Sequence, residues 1–354
     1  MYYLNGTLSN DQITVLSTVY QVTLSLSLIG SFSVLVVSIA RRRNLQEQVQ
    51  PLIQLALVDL LATATLMITS SMNGTYNLTN SVKICEHLLP LSLAFYCVSF
   101  LLVVVYAWES KNAVEGWREG PRDYQPQGRR TMCFSVYTFV WSTPLVMYFA
   151  YVMTSFLTTA DIEPSRPKMV NSGEASIYCT SCILFLHIWM DSCSDTEEIH
   201  YIILRCFLFF ILISVLVGCT VVYYKVGRWY RRYEEEGLFP VEGDARSRKR
   251  LKGVFCTARN MILVIIFCWM PALVLVILSV SNLPQEKLFW LFFLQAVTVS
   301  LHGCLNSVVY AWRRPNFREA VLGESQLLLS QDGPLAYFDE SLGAPPGTLN
   351  SELL

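Results

Sequence analysis

Residues Leu88 to Lys111 read LLPLSLAFYCVSFLLVVVYAWESK. From Leu88 to Trp108 no side chain is charged; then Glu109 and Lys111 stand on either side of Ser110. At about 1.5 Å of rise per residue, a helix over this run crosses roughly 30 Å of hydrocarbon. Unpaired backbone groups in lipid are too costly for an open alternative, so the run predicts a transmembrane helix.

Working outward, the same pattern recurs along the chain, giving spans at about 13–40, 51–71, 86–109, 131–156, 199–224, 257–281 and 288–312. The fold class predicted is all-α, a seven-transmembrane-helix bundle with a short amphipathic eighth helix. Composition agrees: of 354 residues only 15% are charged and 53% are hydrophobic. A mean hydropathy of +0.41 is too apolar for a soluble domain. Residues 1–12 are read as the extracellular N-terminus, 13–312 as the membrane domain, 313–322 as the amphipathic juxtamembrane helix and 323–354 as a disordered cytoplasmic tail. The first span has no basic n-region and no small-residue cleavage site, which makes it an uncleaved anchor. Within 313–322, Pro315 opens the short helix, whose Phe317, Ala320 and Val321 suit the inner leaflet.

Orientation follows from the basic residues. With the N-terminus outside, twenty-one of the 26 Lys and Arg fall on the inner side, among them Arg41 to Arg43, Arg246 to Lys252 and Arg313. Only Lys83, Arg166, Lys168, Arg205 and Lys287 fall elsewhere, a strong positive-inside asymmetry. The sequons at Asn5, Asn73 and Asn77 all lie in segments this topology puts outside and are candidate glycosylation sites. Cys85, Cys179, Cys182 and Cys193 share that side, an oxidising space, and four cysteines can pair in three ways. Cys85, at the mouth of span three, is expected to join the long loop 157–198. No metal site is expected, because no His stands at matching spacing to Cys179 and Cys182.

Polar residues that survive inside spans carry the functional argument, since ionisable groups there are rare. Asp59 lies in LIQLALVDLLAT, flanked by apolar residues, and must face partners, water or a cation; Ser99, His302 and Asn306 in other spans are the candidate partners. The bland reading is a protonated Asp59 that only bonds helix to helix. In span six, IIFCWMPALV sets Pro271 after Trp269, a kink and a hinge on which the indole turns. In span seven Asn306 and Tyr310 share one helical face.

LALVD in span two, Cys85 before span three, Trp141 in span four, FCWMP in span six and NSVVY followed by Phe317 resemble, in order, the rhodopsin-like G-protein-coupled receptors. More narrowly, FCWMPALVLVIL, LQAVTVSLHGCLNSVVYAW and the tail LLLSQD are similar to a family of orphan, receptor-like transmembrane proteins with no assigned ligand or transducer. The resemblance implies that Asp59, Ser99 and Asn306 form an inner sodium or water pocket. It makes Trp269 the toggle, Pro271 the hinge, Tyr310 the side chain that swings on activation and Cys85 the tether of the outer loop.

Departures from the pattern are as informative. Glu109, Ser110 and Lys111 stand where the family carries an acid-arginine-aromatic triplet, so the arginine is Ser110; Leu251 stands where many members have its acidic partner. Both halves of the usual inner lock are missing together. Glu109 is then expected to pair with Lys111, with Arg41 to Arg43 or with Lys252, at about 0 to 1 kcal/mol for a solvent-reached pair. Ser31 replaces the span-one asparagine, Ser307 the proline before Val308, span five has no proline, and His302 and Gly303 alter the pocket floor. These changes weigh against sodium at Asp59.

In the outer half, Ser92 occupies the position of the amine receptors' aspartate, and no lysine in span seven lies beyond Lys287 at its entry to form a retinal Schiff base. Ser92, Leu93, Tyr96, Trp269, Ala272, Leu273 and Ala296 form the expected ligand pocket, an apolar lining for a lipid-like or small neutral molecule. The function expected is that of an orphan receptor in the plasma membrane, passing an extracellular ligand signal to a heterotrimeric G protein through rearrangement of helices six and seven. The alternative is a non-coupling scaffold or trafficking protein. Membrane lipid is an expected partner and nucleic acid is not. An enzyme is not expected, since the four histidines lack H-x-x-x-H spacing, and no cofactor is called for. A transporter is not expected either, since the halves show no repeat.

Overall fold

The structure, a computed structural model, describes residues 8, 10–40, 50–72, 78–118, 126–159, 183–185, 198–235, 245–279 and 285–313. Side chains at several helix ends, those of Cys85, Ser110, Lys111, Leu251 and Tyr310 among them, lie outside that description. The elements are α1 (Asn10–Ala40), α2 (Gln50–Met72), α3 (Leu78–Arg118), α4 (Pro126–Thr159), α5 (Glu198–Glu235), α6 (Ala245–Leu278), a 3-10 turn (Gln285–Leu288), α7 (Phe289–Ser300) and α8 (His302–Arg313). Among the described residues there is no strand. The segments read as amphipathic helix (313–322) and tail (323–354) lie outside the described residues, apart from Arg313 at the end of α8.

Six of these helices are long and apolar enough to cross a membrane, or seven if the bent pair α7 and α8 is counted as one span. The apolar runs dictate this, because a helix is the form in which a lone segment satisfies its own backbone in lipid. Phe32, Ile29, Phe139, Phe149, Phe210, Phe267 and Trp290 are exposed, which suits hydrocarbon as the solvent and not water. Hydroxyls inside the spans are hidden by bonding one turn back: Thr23 to the Val19 carbonyl at 2.6 Å, Thr65 to Leu61 at 2.9 Å and Thr220 to Leu216 at 2.7 Å.

The helices close into a ring. α1 packs on α2, α2 on α3, α5 on α6 and α6 on α7, and α1 closes the ring against α7 and α8. α3 is the central element, touching α2, α4, α5 and α6. α4 is peripheral: 11% of its apolar window is buried, against 50% for α2, α3 and α6. α3 runs on to Arg118, so Glu109, Ser110 and Lys111 sit on a continuing helix.

The sharp bend falls where the sequence gives no warning. α6 is a single helix that contains Pro271, the expected hinge, and α7 and α8 meet at Leu301 with a 42° change of axis and no proline. The physical cause is Ser27 of α1. Its hydroxyl donates to the Ser300 carbonyl and accepts the Cys304 N–H at 3.0 Å, standing between two backbone groups that a straight helix would join directly. The flanking bonds Leu301 N–H to Val297 O (3.0 Å) and Leu305 N–H to Leu301 O (2.9 Å) persist. Small residues allow this approach: a methyl on Gly303 would lie 2.9 Å from the Ser31 hydroxyl, and one on Gly30 would lie 3.4 Å from the Cys304 Cα. Further along, Tyr20 donates to Gln295 at 3.0 Å and Ser17 to the Ser70 carbonyl at 2.7 Å, so α1 is held along much of its length.

α4 extends to Thr159, and in the loop that follows it Ile183, Leu184 and Phe185 are buried in the core. Three consecutive apolar side chains have more to gain from the bundle interior than from water.

Replacing Ser27 with alanine removes both hydrogen bonds by which α1 holds the bend. The expected loss is about 1–3 kcal/mol, read as a lower thermal unfolding midpoint in detergent; Ser33→Ala, on the exposed face of α1, is expected to leave it unchanged.

Candidate functional site: a buried polar centre under an aromatic layer

Asp59 on α2 is 2% exposed at membrane depth. A carboxylate there requires partners on every accessible side. Ser99 on α3 donates to its Oδ1 at 2.6 Å, and the Asn306 amide on α8 donates to its Oδ2 at 3.0 Å. The two bonds come from two different helices, one to each oxygen of the carboxyl group. Asn306 is held in turn by its own helix spacing: His302, one turn earlier, places Nε2 3.1 Å from the Asn306 amide nitrogen. The same Nε2 lies 3.5 Å from the Ser99 hydroxyl and 3.9 Å from Asp59 Oδ1. With the amide N–H as donor, Nε2 accepts, which is the geometry of a neutral imidazole. The four residues named from the sequence as the inner polar site therefore do meet, across three helices.

The centre is not saturated. His302 Nδ1, Asn306 Oδ1 and the hydroxyls of Ser31 and Ser300 are buried without a hydrogen-bond partner among the described residues. Sodium, which the family resemblance implies, fits this donor set poorly. A hard cation takes several oxygens, and here both Asp59 oxygens already accept hydrogen bonds, with the His302 nitrogen 3.9 Å from Oδ1. Among the described residues no group of three His, Cys, Asp or Glu is placed to hold a metal.

Above the polar centre lies a layer of rings. Tyr96 and Phe100, i and i+4 on α3, each meet two partners edge-on. Tyr96 lies 5.0 Å from Trp269 and 5.6 Å from His302; Phe100 lies 5.1 Å from Trp269 and 5.8 Å from His302. Trp269 and His302 thus share the same two rings. Phe185 adds a third edge-on contact to Trp269, at 6.4 Å. The Trp269 indole N–H has no hydrogen-bond partner among the described residues.

The remaining expected pocket residues are placed as follows. Tyr96, Ala272 and Ala296 are buried, and Leu93 and Leu273 partly so. Ser92 is buried with its hydroxyl on the Leu89 carbonyl at 2.7 Å. Glu109 Oε1 accepts from the Tyr137 hydroxyl of α4 at 2.9 Å, and the side chains of the cations expected beside it, Lys111, Arg41 to Arg43 and Lys252, lie outside the described residues. Trp141 of α4 donates to Gln54 of α2 at 3.2 Å. Ser110, Lys111, Leu251 and Tyr310 lie on α3, α6 and α8, with their side chains outside the described set. So do the candidate disulfide side chains of Cys85, Cys179, Cys182 and Cys193 and the sequons Asn5, Asn73 and Asn77; the cysteines described in the spans are free thiols. Phe100, Tyr20 with Gln295, Tyr137 and Phe185 were missed by sequence reading. Only Phe100 carried a signal, its one-turn spacing from Tyr96.

This is an integral, multi-pass helical membrane protein built around a buried carboxylate centre. Residues 14–334 match the family described as transmembrane protein 116, and the chain belongs to that family.

Removing one partner leaves a buried carboxylate oxygen bare. Asn306→Ala is expected to cost about 2–3 kcal/mol, in the range for hydrogen bonds to charged groups. Asp59→Ala combined with Asn306→Ala should cost clearly less than the two single losses summed, as read in thermal unfolding midpoints; strict additivity would mean that the pair is not coupled.

Proposed function

We propose that this chain is a receptor of the rhodopsin-like superfamily, with its N-terminus extracellular, that passes a signal from its outer half to its cytoplasmic ends in the plasma membrane. The observation that carries the reading is the shared aromatic layer. Trp269 cannot turn without displacing Tyr96 and Phe100, and both rings also rest on His302, which is bonded to Asn306 of the Asp59 centre. Packed rings of this kind have discrete arrangements, so a ligand preferring one of them shifts the population of the whole set. The apolar residues around Trp269, and Ser92 in place of an acid, favour a neutral, apolar ligand. The concentration of basic residues on one side and the three sequons on the other support the orientation. The reading assigns no catalysis to the chain, and its transducer would be a heterotrimeric G protein.

A second reading, a non-coupling scaffold or trafficking protein, draws on the inner end. Ser110 stands in place of the arginine, Leu251 in place of its partner, and Glu109 is taken by Tyr137. A receptor built this way lacks the usual lock between α3 and α6.

The two readings separate in basal nucleotide exchange, followed with a panel of G-protein sensors at matched surface expression, for the wild type and Ser110→Arg. Exchange that rises with wild-type expression is the outcome expected of a coupling receptor that works without the arginine. Silence in the wild type with exchange in Ser110→Arg would overturn that reading in favour of the scaffold.

A further inference from the structure

We propose that Ile183, Leu184 and Phe185 are a built-in occupant of the ligand site: a plug, supplied by the loop between α4 and α5, that must withdraw before any other molecule reaches Trp269. Three observations converge on it. The tripeptide is 1%, 0% and 0% exposed, more deeply buried than most of the helices, although it belongs to a connecting loop. Its aromatic ring stands edge-on to Trp269 of α6, so it is buried in the bundle and not in a core of the loop's own. Phe185 has φ of 66°, and it is the one non-glycine residue with positive φ among those described. A bulky side chain holds the left-handed region only where its surroundings over-determine it. Here what fixes the backbone is the seating of the side chain.

The chemistry of the occupant defines that of the site. An aliphatic, aliphatic, aromatic sequence is held by apolar contact, so the site accepts an uncharged apolar peptide segment of about this size. A tethered segment competes at high effective concentration, so a free ligand must be apolar enough to displace it. The strained turn at Phe185 favours withdrawal once the ring has left. None of this depends on coupling to a transducer, so the plug and the receptor reading stand or fall by different experiments.

The test is access to the site. Ala272, one turn beyond Trp269 and fully buried, is replaced by cysteine in the full-length protein, held in lipid nanodiscs and treated with a small charged methanethiosulfonate. Labelling is resolved by residue with mass spectrometry; a soluble cysteine peptide added to the sample reports reagent activity and buried Cys219 reports an intact bundle. With the plug in place, residue 272 should label slowly. With Ile183, Leu184 and Phe185 all replaced by glycine it should label at least about tenfold faster, as expected when a local opening becomes the resting state. Acetyl-Ile-Leu-Phe-amide at about millimolar concentration, the scale set by a short tether, should restore protection, and acetyl-Gly-Ser-Gly-amide should not. Should the triple variant expose Cys219, Phe185→Gly alone is used, with a smaller acceleration expected. Equal rates with and without the plug would overturn the proposal, and failure of the apolar peptide to protect would overturn the assigned ligand class.

Discussion

A carboxylate held away from water constrains everything around it. Asp59 sits in an apolar stretch of α2, and its two oxygens are met by Ser99 of α3 and Asn306 of α8. Those two contacts fix how α3 and α8 rotate about their own axes, because a turn of either by one residue would leave the acid unsolvated. His302 follows Asn306 by helix spacing into the same face, and Gly303, next to it, leaves space for α1 to approach. The bend at Leu301 belongs to the same arrangement: it lets α7 pack on α1 and α6 while α8 keeps its polar face towards Asp59.

The aromatic layer converts this centre from an isolated knot into one end of a continuous column. Phe185, Trp269, the Tyr96 and Phe100 pair, His302 and Asn306 are linked contact by contact through the buried interior. The column joins a loop residue to α6, then α3, then α8, so elements remote in sequence rest on common side chains. At the inner end the connection is of another kind: Tyr137 and Trp141 tie the peripheral α4 to Glu109 of α3 and Gln54 of α2.

Much of this was legible in the sequence. Apolar runs of bilayer length gave the spans, since lipid permits few alternatives to a helix. The set Asp59, Ser99, His302 and Asn306 was legible because polar side chains in such runs must find one another. What sequence could not show is which helix faces lean together. The break at Leu301 has no proline to announce it, because the group that interrupts the helix is a hydroxyl far away on α1. For Glu109 charge alone points to nearby cations, and the hydrogen bond it accepts from the neutral Tyr137 of another helix carries no mark in the sequence. The tripeptide Ile183 to Phe185 opens the apolar run ILFLHIWM, and nothing in that run marks which of its residues enter the bundle.

The contacts that complete the bundle also set an order for its biosynthesis. Ser27 and Ser300 are 273 residues apart, Tyr20 and Gln295 275, and Asp59 and Asn306 247. A ribosome therefore releases the first helix into the bilayer with its hydroxyl unanswered, and the second with its acid only part-satisfied, until almost the whole membrane domain has been made. The last span acts as the closing piece. Any transcript or nonsense mutation that ends before it delivers a chain bearing an exposed intramembrane acid, the kind of defect by which membrane quality control recognises an unfinished product.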